Sequence, residues 1–358
     1  MKEKLKVGIL GATGAVGQKF IEVLDGHPWF EITALAASER SAGKRYADAA
    51  NWIGSASISP DIADMKVVVA APDLEADFVF SGLDASAAGE IEPLFAREGY
   101  PVISNARNYR MAEDVPLLIP EVNPDHTALI DRQDRGDGFI VTNPNCSTVG
   151  LVCALKPLVD RFDVDAVHVV TMQALSGAGY PGVSSLDALG NVVPYIGGEE
   201  DKVVTEPTKL LGRLVDGRIE PAALRVSAQC TRVPVLEGHL EAVSVQFRGT
   251  VYAEDVKEAL RTWRAPIAGY DLPSAPARFI EVFEDERFPQ PRRHVGLGRG
   301  MTVSVGRIRS CEVLDVKFIV LSHNTIRGAA GGAVLNAELL VKQGRLAKRG
   351  AVAEVVAG

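Results

Sequence analysis

The chain has 358 residues, a formal net charge of −8, 47% hydrophobic and 23% charged residues, which excludes a disordered chain and suffices for two packed domains. The acidic balance argues against nucleic acid or an anionic membrane surface as a partner, and no apolar run reaches the length of a transmembrane helix. No secretory leader follows Met1, and Cys146, Cys153, Cys230 and Cys311 have neither metal-type nor disulfide-framework spacing, so a reducing cytoplasm and no metal are expected.

In chain order, strands are expected at 6–10, 32–36, 78–80, 102–104 and 138–141, alternating with helix-like segments. That alternation is the signature of βαβ units on a parallel sheet. A buried helix is expected over 149–158. Longer strands follow at 167–173, 230–235, 240–247 and 313–320, several separated by long polar connections, as suits a mixed or antiparallel sheet. A small-residue run at 328–333 opens a terminal helix expected to pack closely on the first domain. The expected fold is α/β: a Rossmann-type dinucleotide-binding domain at 1–147, completed by the C-terminal helix 325–358, and an α+β domain with a mixed sheet at 148–324.

The segment from Gly8 to Gly17 links the first strand to the first helix. Gly11, Gly14 and Gly17 allow a tight turn that brings backbone amides to a pyrophosphate, with Thr13, Ala15 and Val16 lining the same turn. An NAD site would place a carboxylate at the end of the second strand. This chain instead has Ser38, Arg40 and Ser41, with Lys44 nearby, which suits the 2′-phosphate of NADP(H). Glu39 is expected to point away.

Cys146 stands in Thr142-Asn143-Pro144-Asn145-Cys146-Ser147-Thr148, between a strand and an apolar run. Asn-Pro-Asn is turn chemistry, which puts Cys146 at the first turn of a helix, where free amides and the helix dipole favour a thiolate nucleophile. A small buried cysteine is the alternative from this segment alone. Of the six histidines, His27 and His126 lie in loop-like segments and His168 reads as a core residue of a strand. His239 stands at a turn seven residues after Arg232, so the two can converge on one pocket.

The Gly11–Gly17 loop, the segment around Cys146, Gln173-Ala174-Leu175-Ser176-Gly177, Arg232 to His239, and Ser322-His323-Asn324-Thr325-Ile326-Arg327-Gly328 occur in this order. Together they resemble aspartate-β-semialdehyde dehydrogenase, of the branch typical of archaea and fungi, over nearly the whole chain. The resemblance implies that Cys146 is the nucleophile forming a thioacyl enzyme, that Gln173 orients the intermediate, and that His239 is the acid/base that accepts the thiol proton. It also implies that Arg232 grips the substrate carboxylate, that Glu199 holds its ammonium, and that Lys202, Arg110 and Asn145 line the phosphate site. Glu200 is a rival for the ammonium. Ser176, Gly177 and Asn324 would contact the cofactor. The implied reaction is NADPH-dependent reductive dephosphorylation of aspartyl phosphate, by a cytoplasmic homodimer or homotetramer, for lysine, methionine and threonine synthesis.

Malonyl-CoA reductase on the same scaffold is the alternative that Asn145 and Glu199 weigh against. N-acetylglutamyl-phosphate reductase sets its cysteine in a different motif. A non-catalytic NADP-binding protein would have lost the cysteine, histidine or arginine, and all three are present.

Overall fold

The structure, a computed structural model, describes residues 3–349. In its first half, β1 (Leu5–Leu10), α1 (Ala15–Leu24), β2 (Phe30–Ala37), α2 (Tyr46–Ala49), α3 (Pro60–Asp64), β3 (Val68–Val69), β4 (Phe78–Ser81), α4 (Ala85–Arg97), β5 (Pro101–Ser104) and β6 (Phe139–Thr142) follow one another. The six strands form one parallel sheet in the order β3-β2-β1-β4-β5-β6. Strands β4, β5 and β6 are buried along their whole length, which is why they read as unbroken apolar runs.

The second half contains α5 (Cys146–Arg161), β7 (Val164–Gln173), α6 (Ser185–Ala188), α7 (Glu199–Leu210), a small ribbon of β8 (Arg213–Val215) and β9 (Arg218–Glu220), then β10 (Arg225–Arg232), β11 (His239–Phe247) and α8 (Ala253–Thr262). After these come β12 (Ile280–Val282), α9 (Pro291–His294), β13 (Val303–Ser310), β14 (Val316–Ser322) and α10 (Gly331–Lys342). The large sheet runs β10-β7-β11-β14-β13-β12 and is mixed: β10/β7 and β12/β13 are parallel, the other pairs antiparallel. Strand β11 alternates buried and half-buried residues throughout, because helices α5, α7 and α8 cover one face of this sheet. Helix α10 contributes Val334, Ala337 and Leu340 to the core of the first sheet, beside Val7, Phe20 and Phe80.

Several expectations shift. The strand expected at 230–235 is Arg225–Arg232, since Pro234 lacks an N–H and the chain turns before His239. The strand expected at 313–320 is Val316–Ser322, preceded by a turn in which Cys311 N–H donates to the Asp315 carbonyl. Strand β13 was not anticipated: its pairing is broken by a register shift after Gly306, and Arg307 and Arg309 obscure its alternation. His168 is exposed on β7 rather than in the core, because it points to the face away from the helices. The terminal helix begins with a wider turn at Ile326–Ala330 and ends at Lys342; 350–358 of the expected 325–358 lie outside the described residues.

Candidate active site

Strand register assembles the site. Arg232 ends β10 directly beside Gln173, which ends β7. His239 opens β11 opposite Ser322, and Leu240 pairs with Met172, so His239 shares the row of Gln173. Gln173, Arg232 and His239, from three different strands, thus stand side by side at one end of the sheet, under the start of α5. Helix α5 begins at Cys146, with Asn145 as its cap: the Asn145 side-chain oxygen accepts from Ser147 N–H and Thr148 N–H. The Ile326–Ala330 turn passes so close that a Cβ on Gly328 would lie 2.9 Å from the Cys146 Cα and Cβ.

Cys146 Sγ lies 3.2 Å from His239 Nε2. Burial works against the thiolate expected at this helix start. Burial pushes the Cys146 thiol up to about 12, and Glu199 adds to the effect, against the pull of Arg110, Arg232 and Lys202. Burial and then the Arg232 guanidinium bring His239 down to about 3. On its other side, His239 Nδ1 accepts the Ala174 N–H at 3.0 Å.

Glu199 sits at the centre of the polar half. Its Oε1 accepts from Asn145 Nδ2 at 2.8 Å and Gln173 Nε2 at 3.2 Å, and its Oε2 accepts from Lys202 Nζ at 2.9 Å. Burial raises this carboxyl, but Lys202 and the two amides outweigh it and hold the group below its ordinary value. Glu200 faces the other way and accepts the Cys230 N–H at 3.0 Å. The two glutamates are adjacent on α7 and so point about 100° apart, and only Glu199 faces Cys146. Arg232 Nη1 donates to the Ala174 carbonyl at 2.8 Å.

Sequence reasoning missed two residues that support this set. Glu206 is buried and holds Arg110 Nη1 at 2.9 Å with one oxygen and the Asn145 N–H at 2.6 Å with the other. Lys209 donates to the carbonyls of Arg110, Ala112 and Val115 at 2.7–2.8 Å, and burial brings its ammonium down to about 8. The available signal was spacing: Glu199, Lys202, Glu206 and Lys209 fall on one face of α7.

A cavity of about 510 Å³ joins these groups to the start of α1, with Ala15, Val16, Arg110, Cys146, Glu199 and Asn324 among its walls. The glycine loop fits a dinucleotide. Gly11 has φ +73°, and a Cβ on Gly17 would stand 2.3 Å from the Gly11 carbonyl oxygen, so the loop closes tightly beneath α1. Gly14 caps α1 with no side chain over it, leaving the amides beside Thr13, Ala15 and Val16 open to an anion. Ser38, Arg40 and Ser41 share one turn after β2, closed by Ser41 N–H on the Ser38 carbonyl. Asn324 accepts Gly238 N–H and donates to Ser176 Oγ, both at 2.8 Å, beside exposed Gly177.

Two family models match the chain: "Semialdehyde dehydrogenase, NAD binding domain" over residues 6–130 and "Semialdehyde dehydrogenase, dimerisation domain" over residues 155–327. The chain is 54% identical to an aspartate-semialdehyde dehydrogenase of Archaeoglobus fulgidus over 345 residues, covering 95% of this chain and 99% of the relative. It is 48% identical to the Candida albicans enzyme of that name, covering 94% and 97%. A crystal structure of the Candida albicans enzyme with NADP superposes with a TM-score of 0.89 at 46% identity, covering 95% of this chain and 99% of that one. An aspartate semialdehyde dehydrogenase II of Vibrio cholerae complexed with ASA superposes at 0.74 and 29% identity, covering 95% and 99%.

Proposed function

Because the chain belongs to the aspartate-semialdehyde dehydrogenase family, we propose that it reduces L-4-aspartyl phosphate to L-aspartate 4-semialdehyde and phosphate, using NADPH. The observation that carries this reading is the charge pattern around Cys146. Arg232 supplies a cation for the carboxylate, Glu199 an anion for the ammonium, and Arg110 with Lys202 two cations for the phosphate, all around one cavity. Malonyl-CoA offers no ammonium for Glu199.

Cys146 is the nucleophile and attacks the acyl carbon to give a thioacyl enzyme with loss of phosphate. Gln173 orients the acyl intermediate against the sulfur, and Asn145 lines the phosphate site; both donate to Glu199. His239, whose Nε2 lies 3.2 Å from the sulfur, is assigned the acid/base role at the thiol and later at the thiohemiacetal. NADPH, when bound, supplies the hydride that reduces the acyl group. Gly11, Thr13, Gly14, Ala15 and Val16 would hold its pyrophosphate, Ser38, Arg40 and Ser41 its 2′-phosphate, and Ser176, Gly177 and Asn324 its nicotinamide end.

The cofactor is assigned to residues 1–147 with the C-terminal helix, and catalysis and self-association to residues 148–324. A homodimer or homotetramer is supported by apolar side chains exposed between Tyr180 and Tyr195, of which Leu186 is 91% exposed. Four free cysteines support a cytoplasmic location, and among the described residues no helix is long and apolar enough to cross a membrane. The product would feed lysine, methionine and threonine synthesis.

The test is NADP reduction by the purified protein with L-aspartate semialdehyde, with and without phosphate, beside a Cys146→Ala control. Phosphate-dependent turnover that prefers NADP and vanishes in the variant is expected. Inactivity with the semialdehyde and oxidation of NADPH by malonyl-CoA would overturn the substrate assignment.

A further inference from the structure

Of the two cations assigned to the phosphate, Lys202 stands on α7, while Arg110 lies on the stretch 105–116, which forms neither helix nor strand. This stretch holds itself weakly: Arg110 N–H reaches the Arg107 carbonyl at 3.3 Å, Ala112 N–H the Tyr109 carbonyl at 3.1 Å, and Val115 N–H the Ala112 carbonyl at 3.3 Å. Its first half is anchored to α4 by Asn108 Nδ2 on the Ala85 carbonyl and Tyr109 Oη on the Gly89 carbonyl. Its second half has an ion pair of Asp114 with Arg135 at 3.1 Å on its rim and Lys209 beneath it. Lys209 Nζ donates to the carbonyls of Arg110, Ala112 and Val115 at 2.8, 2.7 and 2.7 Å. The geometry points to Lys209 as a positioning residue of the phosphate site, which fixes the backbone at Arg110 and so sets where that guanidinium meets a phosphate held by Lys202. This rests on the aspartyl phosphate reading above.

Lysine is an expensive residue at this place. Lys209 is 6% exposed, and burial brings its ammonium down to about 8 against the pull of Asp114 and Glu206. An apolar side chain of the same length would fill the space without desolvating a charge. What the ammonium adds is three donors at one point, and all three end on the stretch that carries Arg110. An amide has only two N–H groups, and a planar guanidinium cannot converge on three carbonyls in this way. The cavity wall beside the phosphate site is formed by Arg110 and Lys202, with Lys209 behind it, so Lys209 acts through Arg110.

Glu206 and Lys209 grip the two ends of the same residue. They are three positions apart on one face of α7. Glu206 accepts from Arg110 Nη1 at 2.9 Å, and Lys209 donates to the Arg110 carbonyl at 2.8 Å. An arginine held only at its guanidinium swings whenever its backbone shifts; held at both ends, it keeps one position. Lys202 precedes Glu206 on the same helix face, so α7 acts as a rigid spacer that fixes Arg110 relative to Lys202.

The test is steady-state kinetics of the full-length protein in the oxidative direction, with semialdehyde, NADP and phosphate varied in turn. In Lys209→Met the KM for phosphate is expected to rise about tenfold or more. The KM values for semialdehyde and NADP, and kcat at saturating phosphate, should stay within about threefold of the parent. Lys209→Gln, with two donors left, should fall between the parent and Lys209→Met. Because Lys209 acts through Arg110, adding Lys209→Met to Arg110→Ala should raise the phosphate KM by less than about twofold beyond Arg110→Ala alone. An unchanged phosphate KM in Lys209→Met, an equal rise in all three KM values, or full additivity with Arg110→Ala would overturn the inference. Where Lys209→Met does not fold, Lys209→Gln carries the same three comparisons. Phosphate-dependent turnover in the parent with an unchanged phosphate KM in the variant defeats this inference alone; no phosphate-dependent turnover in the parent defeats the functional reading with it.

Discussion

Replacing Glu206 with glutamine tests how the phosphate end of the pocket is held. The two oxygens of Glu206 serve two donors, Arg110 Nη1 at 2.9 Å and the Asn145 N–H at 2.6 Å. Glutamine keeps one oxygen and turns an NH₂ toward the other donor. Whichever way it is oriented, two buried donors face each other. Loss of a hydrogen bond to a charged group is worth about 1.5–3 kcal/mol, and an unsatisfied buried donor a similar amount. Breaking a buried ion pair from one side costs about 3–5 kcal/mol in all, and we expect the lower half of that range because Arg110 Nη2 keeps the Asn105 carbonyl at 2.8 Å. Urea unfolding of Glu206→Gln should show this loss. Steady-state kinetics in the oxidative direction should show the KM for phosphate rising by about tenfold or more, as a loss near 1.4 kcal/mol at Arg110 requires. The KM for semialdehyde should change less, because Arg232 is held independently by the Ala174 carbonyl. Unchanged stability together with an unchanged phosphate KM would refute the reasoning.

Two further outcomes follow from the same geometry. Glu241 is buried, neither carboxyl oxygen has a hydrogen-bond partner among the described residues, and burial pushes the group well above 4.5. A folded-state value raised in this way gives stability that is fully present below the ordinary value and is lost as pH rises. Glu241→Gln, which mimics the neutral acid, should therefore change stability little near pH 5 and raise it by on the order of 1 kcal/mol near pH 8 in urea unfolding. An equal loss at both pH values would contradict this. Arg40→Ala should raise the KM for NADP roughly tenfold while leaving that for NAD nearly unchanged, since only NADP carries the phosphate Arg40 would bind; equal effects on both cofactors would remove Arg40 from that role.

Local chemistry was legible where neighbouring residues carry the whole signal. The glycine turn before α1, the unbroken apolar strands of the parallel sheet, and the turn that starts α5 at Cys146 are all written within about ten consecutive residues. The limits of β10 and β14 were misplaced by several residues, and β13 was missed, because pairing with distant strands decided where they begin and end.

The amino-acid sequence by itself determined which groups are available: a thiol, an imidazole, arginines, lysines and carboxylates, on segments whose local structure follows from turn residues and apolar periodicity. It put Glu199 forward for the substrate ammonium and left Glu200 as a rival. The tertiary structure decided how these groups act. Register places Arg232, Gln173 and His239 in one row, and the packing of α7 turns Glu199 toward Cys146 and Glu200 toward the Cys230 amide. Burial raises the Cys146 thiol against the pull of the nearby cations, and the Ala174 N–H fixes the far side of the His239 ring. Protonation depends on desolvation and on neighbours brought from distant parts of the chain, and neither exists until the chain has folded.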